Sequence, residues 1–116
     1  MKNRSRLAFA LAGTLAALAS QAVDDAQYQS IVRLGELNGI AMQCKFFGET
    51  RRMKKAMIAS LPKRRALGEA FDEVTNQSYL AFIKNNARCP DANRFSQQVD
   101  EAIAVLRKRF ALETAQ

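Results

Sequence analysis

The sequence predicts an all-α fold: a small four-helix domain with a short second helix, placed after a cleaved signal peptide and closed by one structural disulfide. Three observations carry this. Apolar residues recur at steps of three and four in four separate stretches. No stretch sustains the alternation a half-buried strand would need, and turn-forming residues fall between the helical stretches.

Residues 1–22 are read first, because they do not belong to the fold. Lys2, Arg4 and Arg6 form a basic start, and Leu7 to Ala19 is an apolar run of 13 residues. Ser20-Gln21-Ala22 then sets small residues on either side of Gln21, as a signal-peptide cleavage site requires. A membrane-spanning helix needs roughly 20 apolar residues, so this run is too short, and nothing downstream is longer. The expected product is a single helical domain, residues 23–116, periplasmic or secreted after cleavage behind Ala22. The leader takes three of the 18 basic residues and none of the 11 acidic ones, leaving 15 against 11.

The first helix is expected over residues 24–47. Asp24 and Asp25 suit its start, as caps and as negative charge at the positive end of the dipole. Ile31, Leu34, Leu37, Ala41 and Cys44 share one face. Gly35 and Gly39 lie one turn apart near that face. Glycine costs about 1 kcal/mol in a helix interior, so the pair reads either as a second helix packed close to the backbone or as a local fraying or kink of this one. Gly48 reads as the stop.

Thr50 is the expected cap of the short second helix, which should end near Ser60 before Pro62. Met53, Ala56, Met57 and Leu61 fall on one side of it, with Ser60 among them. Arg51, Arg52, Lys54 and Lys55 fall on the other, where Ile58 is the one apolar residue. Pro62 suits the first turn of a third helix reaching about Asn86. Leu67, Ala70, Phe71, Val74, Ser78, Ala81 and Phe82 share a face there. Tyr79, Leu80 and Ile83 add apolar surface on other sides, which predicts that its C-terminal half is the most enclosed part of the domain. Its polar interruption, Thr75-Asn76-Gln77-Ser78, reads as a hydrogen-bonded helix junction or the floor of a small pocket. Asp91 can cap a fourth helix to about Leu112, with an inner stripe of Phe95, Val99, Ala102, Ile103, Leu106 and Phe110. Arg107, Lys108 and Arg109 suit the negative end of its dipole.

Cys44 and Cys89 are the only cysteines. In an exported domain of this size they are expected to form a structural disulfide. Their spacing is unlike the Cys-x-x-Cys of redox pairs.

The residue inventory argues against an enzyme. The chain has no histidine, the commonest general base and metal ligand. Both thiols are expected to be oxidised, no serine sits in a Gly-x-Ser-x-Gly setting, and no Gly-rich phosphate loop is present. Neighbouring carboxylates such as Asp72 and Glu73 diverge on a helix, and the Glu69/Asp72 pair reads as a solvated face. No catalytic residue, metal site or cofactor is therefore assigned. Met42, Met53 and Met57 could offer thioethers to a cuprous ion, but core packing is the better account of them.

The informative surface is basic. Lys45, Arg51, Arg52, Lys54, Lys55, Lys63, Arg64 and Arg65 stand against one acid, Glu49, within residues 45–65. Such asymmetry attracts anionic partners. The expected partner is an anionic protein or the envelope surface, and nucleic acid is set aside because the chain is exported. The leading reading is a non-enzymatic binding module of the adaptor, inhibitor or immunity type. One alternative is a peripheral binder of anionic lipid, with Met53, Met57 and Leu61 inserting beneath the charges. Another is a periplasmic stress chaperone. In size, compartment and cysteine count the chain resembles small acid-stress chaperones of the periplasm and immunity proteins against secreted toxins. No motif matches either residue by residue, and the excess of base over acid differs from a chaperone that senses acid through its carboxylates.

Overall fold

The computed structural model describes residues 22–115, with side chains described as far as residue 111. The predicted signal peptide, Ala22 apart, lies outside these residues. Four helices follow: α1 (Asp25–Gln43), α2 (Phe47–Ser60), α3 (Arg65–Lys84) and α4 (Ala92–Ala115). No strand occurs among the described residues.

α1 begins where its acids predict. Asp24 accepts from the Gln27 backbone N–H at 2.7 Å, and Gln27 accepts in return from that of Asp24 at 2.9 Å, a complete capping box. The helix ends earlier than expected, at Gln43, and glycine does not stop it. Lys45 takes a left-handed φ of 62°. The Phe46 N–H then reaches the Ala41 carbonyl at 2.8 Å and the Lys45 N–H that of Met42 at 3.3 Å. This is a Schellman closure built on a non-glycine residue. Asn86, at φ 55°, closes α3 in the same way, with Ala87 N–H on Phe82 O at 3.0 Å.

Because α1 stops early, α2 starts early. Gly48 and Thr50 lie inside α2 rather than ahead of it, and the Thr50 hydroxyl, expected to cap, is buried with no hydrogen-bond partner. Pro62 falls in the turn before α3, not in its first helical turn. Asp91 does cap α4, accepting from the Arg94 N–H at 3.1 Å. That helix continues past Leu112 to Ala115.

Directions alternate along the chain, yet the most extensive contact is between a parallel pair, α1 and α3. α3 lies along α1 in the same sense, with Val74 against Gly35 and Ser78 against Gly39. α2 lies along α4 in the same sense, tied where Arg52 reaches Asp100 and Ser96. α1 and α4 run antiparallel, and the Gln27 amide donates to the Arg109 carbonyl at 3.1 Å. α1 is thus the central element, touching all the others, while α3 packs essentially on α1 alone.

The core forms where these helices meet: Ile31, Leu34, Leu37 and Ala41 of α1, Met53, Ala56 and Met57 of α2, Leu67 and Phe71 of α3, and the whole predicted stripe of α4. Each large side chain enclosed there is worth about 1.5–3 kcal/mol. Phe46 closes one end by tilting onto Phe95, ring centroids 5.2 Å apart. The expectation for α3 is corrected. Its C-terminal half is the least enclosed part of that helix, with Leu80 54% and Ile83 56% exposed. The reason is positional: past Ser78 only α1 lies beside it, and α1 ends at Gln43.

The disulfide is present. Cys44 and Cys89 are bonded, with Cα atoms 5.6 Å apart. It joins the two Schellman-closed ends of α1 and α3, which the parallel arrangement brings to the same end of the molecule. No described helix is long and apolar enough to cross a membrane.

Candidate functional site

The basic residues of α2 are sorted by the helix itself. Met53, Ala56, Met57 and Ser60 face the core, so at 100° per residue Arg51 and Ile58 point outermost, Lys54 lies on the α3 flank, and Lys55 and Ala59 lie on the α4 flank. Lys45, Lys63 and Arg65 are exposed, and Arg64 is half-buried in the α2–α3 turn. The predicted cationic segment is therefore not one patch. It divides around α2.

Arg52 stands apart within that set. Its guanidinium holds Glu49 at 2.8 Å and Asp100 at 2.7 Å, and also donates to the Ser96 carbonyl at 3.3 Å. The hydrogen bond it donates to Glu49 and then that to Asp100 hold its protonated form more firmly than usual, against the opposing effect of burial. Arg52 thus clamps α2 to α4 and is not an open docking cation.

The α4 flank forms a groove of about 630 Å³ whose lining includes Arg52, Lys55, Ala59, Asp100, Ile103 and Arg107. With Asp100 engaged by Arg52, the unopposed charges are Lys55 and Arg107. Arg107 is the site residue the sequence reading missed, because it was assigned to the helix dipole. The signal for it was spacing: Asp100, Ile103 and Arg107 follow one another at helical steps on the α4 face beside α2. The groove continues past Ala59 and Ser60 towards Phe110, with Arg107 again on its wall.

The α3 flank is different. A cleft of about 340 Å³ has Asn38 and Met42 as its floor, Lys54 on one wall, and Asp72, Asn76 and Tyr79 on the other. A separate recess of about 310 Å³ lies at the α2–α3 corner, lined by the apolar Met57, Ile58, Leu61 and Leu67 with Gly68, and rimmed by Lys63 and Arg64. Of the two expectations for the polar run 75–78, the junction is the one the hydrogen bonds support. Thr75 accepts from the buried Asn38 amide at 3.2 Å, and Ser78 donates to the Glu36 carbonyl at 2.7 Å, which makes the junction. Thr75 and Asn76 also line the cleft. The Asn38 Oδ1 is buried and unpartnered.

Met53 and Met57 are in the core, 0% and 8% exposed. The insertion of these side chains into a lipid surface is thereby withdrawn, and Phe47 and Ile58 are left as the exposed large apolar groups of α2. Among the described residues no three acidic or cysteine side chains converge as metal ligands would. No known family, curated protein or solved structure matches this chain.

Proposed function

We propose that this chain is an exported, non-enzymatic binding module whose groove between α2 and α4 takes an acidic protein segment. The observation that carries the reading is the pairing of Arg52 with Asp100, which engages the one acid among the described residues of the groove and leaves Lys55 and Arg107 unopposed among them. Arg51 at the crest of α2 extends the positive field. An extended acidic segment lying between parallel helices would meet Lys55 on one side and Arg107 on the other. Charge-assisted hydrogen bonds to carboxylates are the stronger kind, and electrostatic complementarity sets specificity and on-rate. The disulfide suits an oxidising compartment.

The test uses a fluorescent hexaglutamate peptide, with phosphatidylglycerol vesicles as the competing ligand. The reading expects salt-sensitive peptide binding that Lys55→Glu and Arg107→Glu each abolish. Vesicle co-sedimentation without peptide binding would replace this reading with the lipid one. A pull-down from envelope extract, with the Lys55→Glu/Arg107→Glu chain as control, then seeks the native partner.

A further inference from the structure

We infer that the cleft between α2 and α3 is the interface of a two-fold symmetric dimer, occupied by the same cleft of a second copy. This is independent of the α2–α4 groove. The starting point is charge. Lys54 stands on the α2 wall and Asp72 on the α3 wall of one cleft, and neither forms an ion pair among the described residues. The same signs recur one turn away on each helix, with Arg51 next to Lys54 and Glu69 next to Asp72. A surface with a cation on one side and an anion on the other is self-complementary, which is what an isologous interface needs. A two-fold axis running along the cleft lays α2 of each copy over α3 of the other. Lys54 then meets the partner's Asp72, and the pair occurs twice.

A second observation gives the same axis. Gly68 sits inside α3, where glycine costs helix stability, and a Cβ there would meet nothing within 4 Å. Nothing within the monomer requires this glycine, unlike Gly35 and Gly39. It lies in the apolar recess beside Ile58, which is 79% exposed. One turn along from Lys54 and Asp72, the same rotation brings Ile58 of each copy over the partner's Gly68. The missing side chain is the hole and Ile58 is the knob. The fit pairs charge with charge and apolar surface with apolar surface without altering any contact in the monomer.

The purified, disulfide-bonded chain is examined by sedimentation equilibrium from micromolar to millimolar concentration. A monomer–dimer equilibrium is expected. Lys54→Glu and Asp72→Lys should each weaken it by about tenfold or more, since each reversal acts at two symmetric pairs. Mixed together, these two variants should form a heterodimer, because both reversed pairs are then restored. Ile58→Asp and Gly68→Gln should also leave monomers. Both positions are open in the monomer, so circular dichroism and the unfolding midpoint of dilute samples should show a native fold. A chain that stays monomeric at millimolar concentration overturns the inference, as does a dimer indifferent to these four substitutions, or a mixture of the two charge variants that does not associate. Hexaglutamate binding by Lys54→Glu monomers separates this result from the α2–α4 groove.

Discussion

Gly39 and Ser78 approach so closely that a β-carbon built on the glycine would lie 2.6 Å from the serine Cβ and 2.6 Å from the Tyr79 backbone nitrogen. One turn earlier, a β-carbon on Gly35 would lie 2.8 Å from that of Val74. The two glycines are therefore the contact surface of α1 for α3. At this distance Ser78 can donate across the interface to the Glu36 carbonyl.

Gly39→Ala is expected to destabilise the domain by about 2 kcal/mol. Alanine improves helix propensity by about 1 kcal/mol, but the methyl meets backbone, which cannot rotate away, and overpacking costs about 1–3 kcal/mol or more. Separating the helices also strains the Ser78 bond. Gly68→Ala is the control, since its methyl meets nothing, and should stabilise the dilute monomer by about 1 kcal/mol. Opposite shifts in urea midpoint check the pair, and shifts of the same sign would discard the close-packing account.

Loss of the disulfide should cost about 4 kcal/mol on the chain-entropy relation, for a bridge spanning 45 residues. The bond matters more here than in a tightly packed bundle, because α3 is held essentially by α1 alone. The double variant Cys44→Ser/Cys89→Ser should lose protection first in α3, read by amide hydrogen exchange. Uniform loss across all four helices would show that the bridge acts only on the unfolded chain.

How legible this was from sequence depends on where the information lay. The α4 stripe from Phe95 to Phe110 was readable because one helix face meets one core. The Gly35/Gly39 contact was readable because two mid-helix glycines have a cost that something must offset. The end of α1 was misread at Gly48 because a lysine does not announce a left-handed residue; Lys45 takes φ 62° in a turn closed by the Lys45 and Phe46 N–H groups. Leu80 and Ile83 were read as buried because periodicity reports apolar character and not whether a neighbour is present. Arg52 and Arg107 could not be sorted without knowing that α2 lies beside α4: the first has, besides the nearby Glu49, a second acid 48 residues away, and the second has its groove partner on another helix.

The Asn38–Thr75 contact separates two kinds of buried polar change. Thr75→Val removes the acceptor of the Asn38 amide at 3.2 Å and leaves that buried amide only its long contact to Met42 Sδ at 3.9 Å, with Oδ1 already unpartnered. It should cost about 1–3 kcal/mol. Asn38→Leu removes the unpartnered Oδ1 together with the donor and should be close to neutral or stabilising, since leucine is near asparagine in shape. The double variant should then be less destabilised than Thr75→Val alone. Additive losses in the cycle would contradict this.

Arg52→Ala should lower stability by about 1 kcal/mol, since the clamp is part-exposed and screened. The loss should shrink at high salt. The same substitution leaves Asp100 unopposed in the groove, so hexaglutamate binding should weaken even though Arg52 is not a docking cation. Adding Asp100→Asn should restore binding without restoring stability. Recovery of both together, or of neither, would refute the division between clamp and groove.

Lys45→Gly completes the test of how α1 ends. A non-glycine residue at φ 62° carries a left-handed cost of about 1–2 kcal/mol. Glycine removes it, at the expense of a more flexible unfolded chain. The net gain should be about 0.5–1 kcal/mol, seen as a higher urea midpoint with an unchanged slope. Asn86→Gly, at φ 55° in the matching closure of α3, should gain less, because asparagine already tolerates this conformation. If Lys45→Gly is destabilising instead, the lysine side chain is holding the turn, and the strain assigned to its backbone is not what limits the end of α1. Hexaglutamate affinity measured on the same sample then shows whether this lysine belongs to the anion-binding surface: it lies at the disulfide end, away from Lys55 and Arg107, and its loss should leave the affinity within about twofold.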